Sequence, residues 1–262
     1  MFCVVQARGV LFNNNGITMH KFKKIVVAAA MTIAAASAAA APITVGGVTW
    51  DPDYPLDFAS SSVQLHQFVA PDGSVSGFGI VSTMNGYSQD QFCPGCELTI
   101  VYGGYNLVGS AGNTNLFTGG FINIYRNDGP STINPSDPLT MNAGNTGIGE
   151  LWLSLTGHTY NGTTLLGTLN ALNPPNGSGL GQLDVAGGVA GAYFDTNQQV
   201  DGADVAFSSS FTQPYPGTTG IEHIVGTGNL FGQTAVPVPE PGSLALVGLG
   251  LAGLATLRRR KG

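Results

Sequence analysis

The stretch GELWLSLTG, residues 149–157, alternates apolar and polar side chains and sets the fold class of the chain. Successive side chains of an extended strand point to opposite faces. Its three leucines therefore share one face, whereas the tryptophan, the serine and the threonine share the other. The stretch ADVAFSSSFT, residues 203–212, alternates in the same way. Both patterns predict strands with one face in a hydrophobic core.

Turn-forming sequences separate such stretches, as at Asn85-Gly86, Asn161-Gly162 and Asn173-Pro174-Pro175-Asn176-Gly177. Asparagine, glycine and proline favour the tight turns that connect antiparallel strands. The pattern indicates roughly nine to eleven short strands and no amphipathic helix in residues 41–235. We therefore predict an all-β domain, folded as a single β-sandwich of jelly-roll type. A β-helix is the alternative, but no repeat of fixed period supports it.

The N-terminus has the pattern of a secretory signal peptide at residues 19–40. A basic segment at residues 20–24 precedes an apolar segment at residues 25–36, and Ala36-Ser37-Ala38 supplies the small residues at which signal peptidase cleaves. Residues 1–18 do not belong to this pattern, and we interpret them as an upstream start that was assigned in error. The exported domain is then expected to span residues 41–235.

The C-terminal segment VPVPEPGSLALVGLGLAGLATLRRRKG, residues 236–262, has three parts. The Pro-Glu-Pro tripeptide is extended, because proline fixes its own φ and keeps the preceding residue out of the helical region. Residues 242–257 are uncharged and predict a helix of roughly 24 Å, slightly shorter than a bilayer core. The basic run at residues 258–261 favours the cytoplasmic side. A short transmembrane helix is predicted, with an ordinary single-pass anchor as the alternative.

A Pro-Glu-Pro box, a short apolar helix and an arginine-rich end, in this order, resemble the PEP-CTERM sorting signal. The resemblance implies processing by exosortase, a membrane enzyme that cuts at or near the box. It also implies export by a Gram-negative bacterium that makes extracellular polysaccharide, through an inner-membrane intermediate, to the cell surface or extracellular matrix. The residues that correspond to the signal are Pro239, Glu240, Pro241, Arg258, Arg259 and Arg260.

Five β-rich segments are also similar to PEP-CTERM proteins associated with flocculation. They are ELTIVYGGYNL, FTGGFINIY, ELWLSLTGH, LDVAGGVAGAYFDTN and DGADVAFSSSF. This second resemblance implies a structural, non-enzymatic role in cell aggregation, flocculation or biofilm, with exopolysaccharide as a partner.

The predicted domain is strongly acidic. Residues 41–235 contain fourteen of the fifteen acidic residues of the chain but only one of its nine Lys and Arg residues, Arg126. The net charge of this stretch is therefore −13, whereas that of the whole chain is −6. Such a surface repels phosphate backbones, which excludes nucleic acid as a partner and favours divalent cations.

One acidic loop is a candidate calcium site. Its proposed ligands lie within ten residues: Asp195, Asn197, Asp201 and Asp204. Calcium prefers carboxylate and amide oxygens that a tight loop brings together. The stretch departs from the EF-hand pattern, because Val200 stands where that loop needs glycine and no glutamate closes it. The alternative is a polar hairpin with Asp-Gly at its turn, and no other cofactor is predicted.

Cys93-Pro94-Gly95-Cys96 contains the two cysteines of residues 41–235. In an exported protein a disulfide is the default, and the Pro-Gly turn brings the two thiols together. A thioredoxin-type motif would need a helix after the first cysteine, whereas the sequence predicts a strand. A zinc site would need further ligands. We predict a structural disulfide.

No catalytic residue is predicted, and the chain is interpreted as not being an enzyme. The histidines of the domain lack a catalytic signature and are interpreted as single surface or edge residues: His66, His158 and His223. A secreted glycosidase, the least favoured function, would need two facing carboxylates. The candidates are Glu97, Glu150 and Glu222.

A carbohydrate-binding module is the main alternative function. Exposed aromatic rings would stack on sugar rings, and several would have to converge on one patch, whereas a matrix protein needs no such patch. The candidate rings are Trp50, Tyr87, Tyr105, Trp152 and Tyr160.

Overall fold

The computed structural model describes residues 41–52, 58–129, 132–134, 137, 140–172, 175–215 and 221–235. The predicted signal peptide, residues 19–40, and the predicted sorting helix within residues 236–262 lie outside this part of the chain. Both therefore stay predictions. Across the described ranges, no helix is long and apolar enough to cross a membrane.

The described chain is built almost entirely of strands. They are β1 (Ile43–Val45), β2 (Val48–Trp50), β3 (Phe58–Val69), β4 (Val75–Met84), β5 (Tyr87–Ser88), β6 (Cys96–Ala111), β7 (Thr114–Asp128), β8 (Glu150–Gly157), β9 (Leu165–Leu172), β10 (Pro175–Gly187), β11 (Val205–Tyr215) and β12 (Glu222–Gly232). Three short helical elements accompany them in the described residues: α1 (Gln89–Phe92) before β6, α2 (Gly191–Phe194) after β10, and a 3₁₀ turn (Val200–Gly202) before β11. The predicted all-β class is confirmed.

The large sheet closes on itself into a barrel. Antiparallel pairings follow the order β11-β12-β3-β4-β6-β7-β8-β10, and β10 pairs in turn with β11, so eight strands form a ring. A sandwich consists of two facing sheets with open edges. The pairing of β10 with β11 closes the ring instead, so the structure does not show the predicted sandwich. The thirteen-residue β10 makes closure possible, because it is long enough to pair with several strands along its length.

β8 and β9 share one position in the ring. Residues 175–181 of β10 pair with β9, and residues 183–187 pair with β8. Similarly, residues 114–117 of β7 pair with β9, and residues 121–126 pair with β8. The barrel therefore has two ends of different construction, which we call the β8 end and the β9 end.

The inner face of the barrel carries the core that the alternation predicts. Leu153 and Leu155 of β8 have no exposed surface. The alternation placed Trp152 on the polar face. The structure contradicts this, since Trp152 is also fully buried. The β7–β8 ladder slips by one residue between Ile124 and Tyr125, and a bulge of this kind redirects the side chain of the extra residue.

Aromatic rings fill the core at the β8 end. Trp50 lies edge-on to Trp152, with ring centroids 5.8 Å apart, and stacks on Phe194 of α2 at 5.2 Å. The indole N–H of Trp50 donates to Thr234 Oγ1 and that of Trp152 to the Val45 carbonyl, each at 3.0 Å. Because a buried N–H without a partner is destabilising, these bonds help to fix the β1–β2 hairpin on the barrel.

Candidate functional site

Cys93 and Cys96 form the predicted disulfide, with their Cα atoms 5.2 Å apart. Gly95 has a φ of +75°, which allows the chain to turn back between the two cysteines. β6 begins at Cys96, so a strand follows the pair, as expected. Both cysteines are buried, which suits a structural disulfide better than a redox-active one.

Asp204, one of the four predicted calcium ligands, binds backbone N–H groups instead. Its Oδ1 accepts hydrogen bonds from the N–H of Thr196 and of Asn197, both at 2.7 Å, and its Oδ2 accepts one from the N–H of Val185 at 2.8 Å. The residue is only 3% exposed. Its carboxylate therefore ties the acidic loop to β10 through three charge-assisted hydrogen bonds.

The other three predicted ligands lie on the surface of the loop. Asp195, Asn197 and Asp201 are exposed, and the last two have left-handed backbones with φ of 55° and 61°. Asparagine and aspartate tolerate this conformation better than most residues, which suits them to tight turns. Within the described ranges, no group of three or more His, Cys, Asp or Glu side chains is placed to hold a metal ion. Calcium binding stays a prediction that requires a rearranged loop.

His158, expected to be isolated, lies between two carboxylates. Its Nδ1 is 2.8 Å from Asp184 Oδ1, and its Nε2 is 3.8 Å from Asp201 Oδ2. The ring lines a small cleft of about 110 Å³, together with Gln182 and Tyr160. Carboxylates, amides and aromatic rings are the side chains that can bind the hydroxyls and apolar faces of small polar ligands.

His66 and His223 are not isolated either, so that expectation was wrong. His66 Nδ1 lies 2.8 Å from His223 Nε2 across β3 and β12, a hydrogen-bonding distance between the two rings. Phe78 stacks on His66 and Phe68 on His223, with centroids 5.1 and 4.4 Å apart. The two histidines are 157 residues apart in sequence, and no local pattern could have revealed the pair.

The candidate glutamates do not supply a facing pair. Glu97 is buried and accepts a hydrogen bond from Asn127 Nδ2 at 3.1 Å, whereas Glu150 lies 3.5 Å from the Arg126 guanidinium. Consecutive residues of β7 point to opposite faces, and these two glutamates pair with consecutive residues. They therefore lie on opposite faces of the sheet. Glu222 starts β12, whose first residues line the β9 end.

The expectation of five exposed aromatic rings was wrong for three of them. Trp50, Tyr105 and Trp152 are buried in the core. Tyr87 and Tyr160 are exposed, at 44% and 43%. Only Tyr160 of these two lines the cleft beside His158.

An uncharged outer face, which the sequence analysis missed, adjoins this cleft. Two cross-strand rows make up what we call the β9–β12 outer face: Thr168, Ser178, Ser210 and Thr227 in one, and Leu166, Leu180, Ser208 and Asn229 in the other. These positions alternate with buried residues such as Val205 and Leu230. Leu180 is 60% exposed. Ser208 and Ser210 of β11 were a signal for this face. The residues beside them on the neighbouring strands follow from the register of the strands, which the sequence does not show.

A profile of the PEP-CTERM protein-sorting motif matches residues 237–261. This match supports a PEP-CTERM protein and implies that the chain is exported, is processed by exosortase and reaches the cell surface or the extracellular space. No curated protein and no solved structure matches the chain. The resemblance to flocculation-associated proteins stays a prediction. The predicted sorting residues fall within the match and outside the described residues: Pro239, Glu240, Pro241, Arg258, Arg259 and Arg260.

Proposed function

We propose that the chain is a non-enzymatic protein of the cell surface or extracellular matrix that acts in exopolysaccharide-associated aggregation, flocculation or biofilm. The sorting motif at residues 237–261 carries this proposal. In this scheme a Gram-negative cell exports the chain, holds it in the inner membrane by the C-terminal helix, and releases the barrel to the surface after exosortase cuts.

Several reactive side chains of the barrel are engaged in contacts within the fold, which supports a structural role. Asp204 holds a loop, Glu97 is bonded to Asn127, and the two cysteines are joined to each other. Each of these groups has a partner that stabilises the fold, so none of them needs a substrate to explain its position.

Deletion of the gene tests this function directly. We expect loss of cell aggregation, biofilm and polysaccharide retention, and recovery with the wild-type gene. A variant in which the Pro-Glu-Pro box is replaced by three alanines should not restore them, whereas alanine at the flanking Val236 and Val238 should. Normal aggregation and polysaccharide retention in the deletion strain would contradict the proposal.

Carbohydrate binding is the second candidate, and the β9–β12 outer face favours it. Hydroxyl and amide side chains offer hydrogen bonds to sugar hydroxyls, and Tyr160, Leu166 and Leu180 offer apolar contacts beside them. None of the eight residues of this face is charged, and residues 41–235 carry a net charge of −13. A neutral polysaccharide therefore suits the face better than a uronate polymer, which the acidic domain would repel.

Affinity electrophoresis of the exported protein in gels that contain a neutral glucan or alginate tests this candidate. We expect retardation by the glucan alone. Tyr160→Ala should weaken it several-fold, since stacking of a ring contributes about 1 kcal/mol. Tyr87→Ala is the matched control, because Tyr87 is equally exposed but lies outside the cleft. Equal retardation of both variants, or stronger retardation by alginate, would count against the face.

A further inference from the structure

The barrel contains a cavity at its β9 end. Its volume is about 190 Å³. Six strands contribute inward-facing apolar side chains to its wall: Val69, Val75, Phe117, Leu165, Phe211 and Ile224. The β8 end, by contrast, is filled by Trp50, Trp152 and Phe194.

The cavity exists because three neighbouring strands carry glycine or serine, rather than a large side chain, at inward-facing positions. Gly167 of β9 pairs with Gly179 of β10, which pairs with Ser209 of β11, and all three line the cavity. A Cβ on Gly179 would lie 2.6 Å from Ser209 Oγ, and one on Gly167 would lie 3.0 Å from the Phe117 ring. A side chain at either glycine would therefore meet these neighbouring side chains, and the two glycines leave the space open. An empty apolar cavity is destabilising, whereas one of about 150 Å³ can hold benzene.

Ser209 provides a polar group inside this apolar wall. The residue is 8% exposed and lines the cavity, so its hydroxyl can be reached by a ligand there. A serine hydroxyl both donates and accepts hydrogen bonds. A ligand with a hydroxyl at its inner end can therefore bond it.

The mouth of the cavity is negatively charged. Glu222 lines both the cavity and a shallow depression outside it, which Asp72 also lines. The Ser74 hydrogen bonds lower the pKa of Asp72, which keeps this carboxylate ionised. The single Lys or Arg of residues 41–235, Arg126, is held near the β8 end by Asp128 and Glu150. A cation at the mouth therefore meets no competing Lys or Arg side chain from residues 41–235.

We propose that this cavity binds a small arylalkyl amine, a function beyond the matrix role proposed above. The ring lies among the apolar side chains, a hydroxyl on the ring bonds Ser209, and the ammonium group stays at the mouth beside Glu222. The volume of the cavity limits the ligand to a small molecule. Phe117 and Phe211 favour an aromatic ring in it, and the acidic mouth favours a positively charged group. A carboxylate in place of the ammonium group would be repelled.

Titration calorimetry of the exported protein, in the form that cells make, tests the proposal with four matched probes at low salt. Tyramine should bind most tightly, tyrosol and phenethylamine more weakly, and 4-hydroxyphenylacetate not at all. Glu222→Gln should weaken tyramine about two- to fivefold and leave tyrosol unchanged, as expected for an exposed charge pair. Ser209→Ala should weaken tyramine about two- to tenfold and leave phenethylamine unchanged. Glu150→Gln, at the opposite end, is the control and should change neither.

A variant that fills the cavity completes the test. Ile224→Phe should abolish binding of tyramine and of tyrosol, and Val69→Leu, a smaller increase, replaces it if the first variant does not fold. Circular dichroism establishes that the variant used is folded. The proposal is overturned if the folded variant still binds tyramine with unchanged affinity, if the anionic probe binds as tightly as tyramine, or if no probe binds at millimolar concentration.

Discussion

Replacement of Asp204 by asparagine should lower the free energy of unfolding by about 3–5 kcal/mol. The carboxylate accepts three backbone hydrogen bonds at 2.7–2.8 Å while only 3% exposed. An asparagine amide keeps one acceptor oxygen and directs its NH₂ group toward backbone N–H groups that are donors themselves. One or two bonds to a charged acceptor are lost, at about 1.5–3 kcal/mol each, and the abandoned N–H groups stay partly buried.

Urea denaturation and a thermal melt measure this effect. For a domain of this size the loss corresponds to a fall in Tm of about 6–20 °C. Asp201→Asn is the matched control, because Asp201 is exposed and lies 3.8 Å from His158, so its loss should change stability by about 0.5 kcal/mol or less. If Asp204→Asn destabilises no more than this control in EDTA, the structural role derived for Asp204 is refuted. An effect that needs added Ca²⁺ would make it a metal ligand instead.

Three further predictions concern the C-terminal box, the disulfide and the acidic loop. Alanine at all three positions of the box at residues 239–241 should leave a longer, membrane-held form in cells with exosortase, and an unchanged mass of the mature protein would refute the sorting role. Cys93 and Cys96 should resist alkylation in denatured, unreduced protein, and labelling of both would exclude the disulfide. Millimolar Ca²⁺ should raise the Tm and EDTA should reverse the rise, because a bound cation offsets repulsion in the loop. Replacement of Asp195 and Asp201 by asparagine should remove this response. An equal rise in Tm with Na⁺ at matched ionic strength would show that salt only screens the repulsion and that no Ca²⁺ is bound.

Local patterns predicted the strands well, because alternation depends only on which side chains share a face. Leu153 and Leu155 are buried as the pattern requires. Trp152 was assigned to the wrong face because of a one-residue bulge. A bulge depends on how two strands pair, and the sequence of one strand does not reveal it. The disulfide was predictable for the opposite reason, since the two cysteines are only three residues apart.

The candidate sites depended on register between distant strands, which the sequence does not display. Gly167, Gly179 and Ser209 meet only because β9, β10 and β11 pair as they do. Asp204 looked like a calcium ligand because its neighbours in sequence are acidic. Its actual partners include Val185 of β10, nineteen residues away, whose N–H no local motif would have indicated.

Closure of the barrel gives a physical reason for the unusual charge content. A sandwich of strands so poor in charge would have open edges, and natural proteins protect such edges with charged side chains, especially lysine, or with proline. Residues 41–235 contain no lysine and one arginine, so they could not protect edges by positive charge. In the closed ring each strand has a neighbour on both sides, and edge protection is unnecessary. β9 also has a neighbour on each side, β7 and β10. The remaining strands of the described residues, β1, β2 and β5, are three residues long or shorter. A sheet without open edges can therefore carry an uncharged outer face without lysine and still avoid edge-to-edge association.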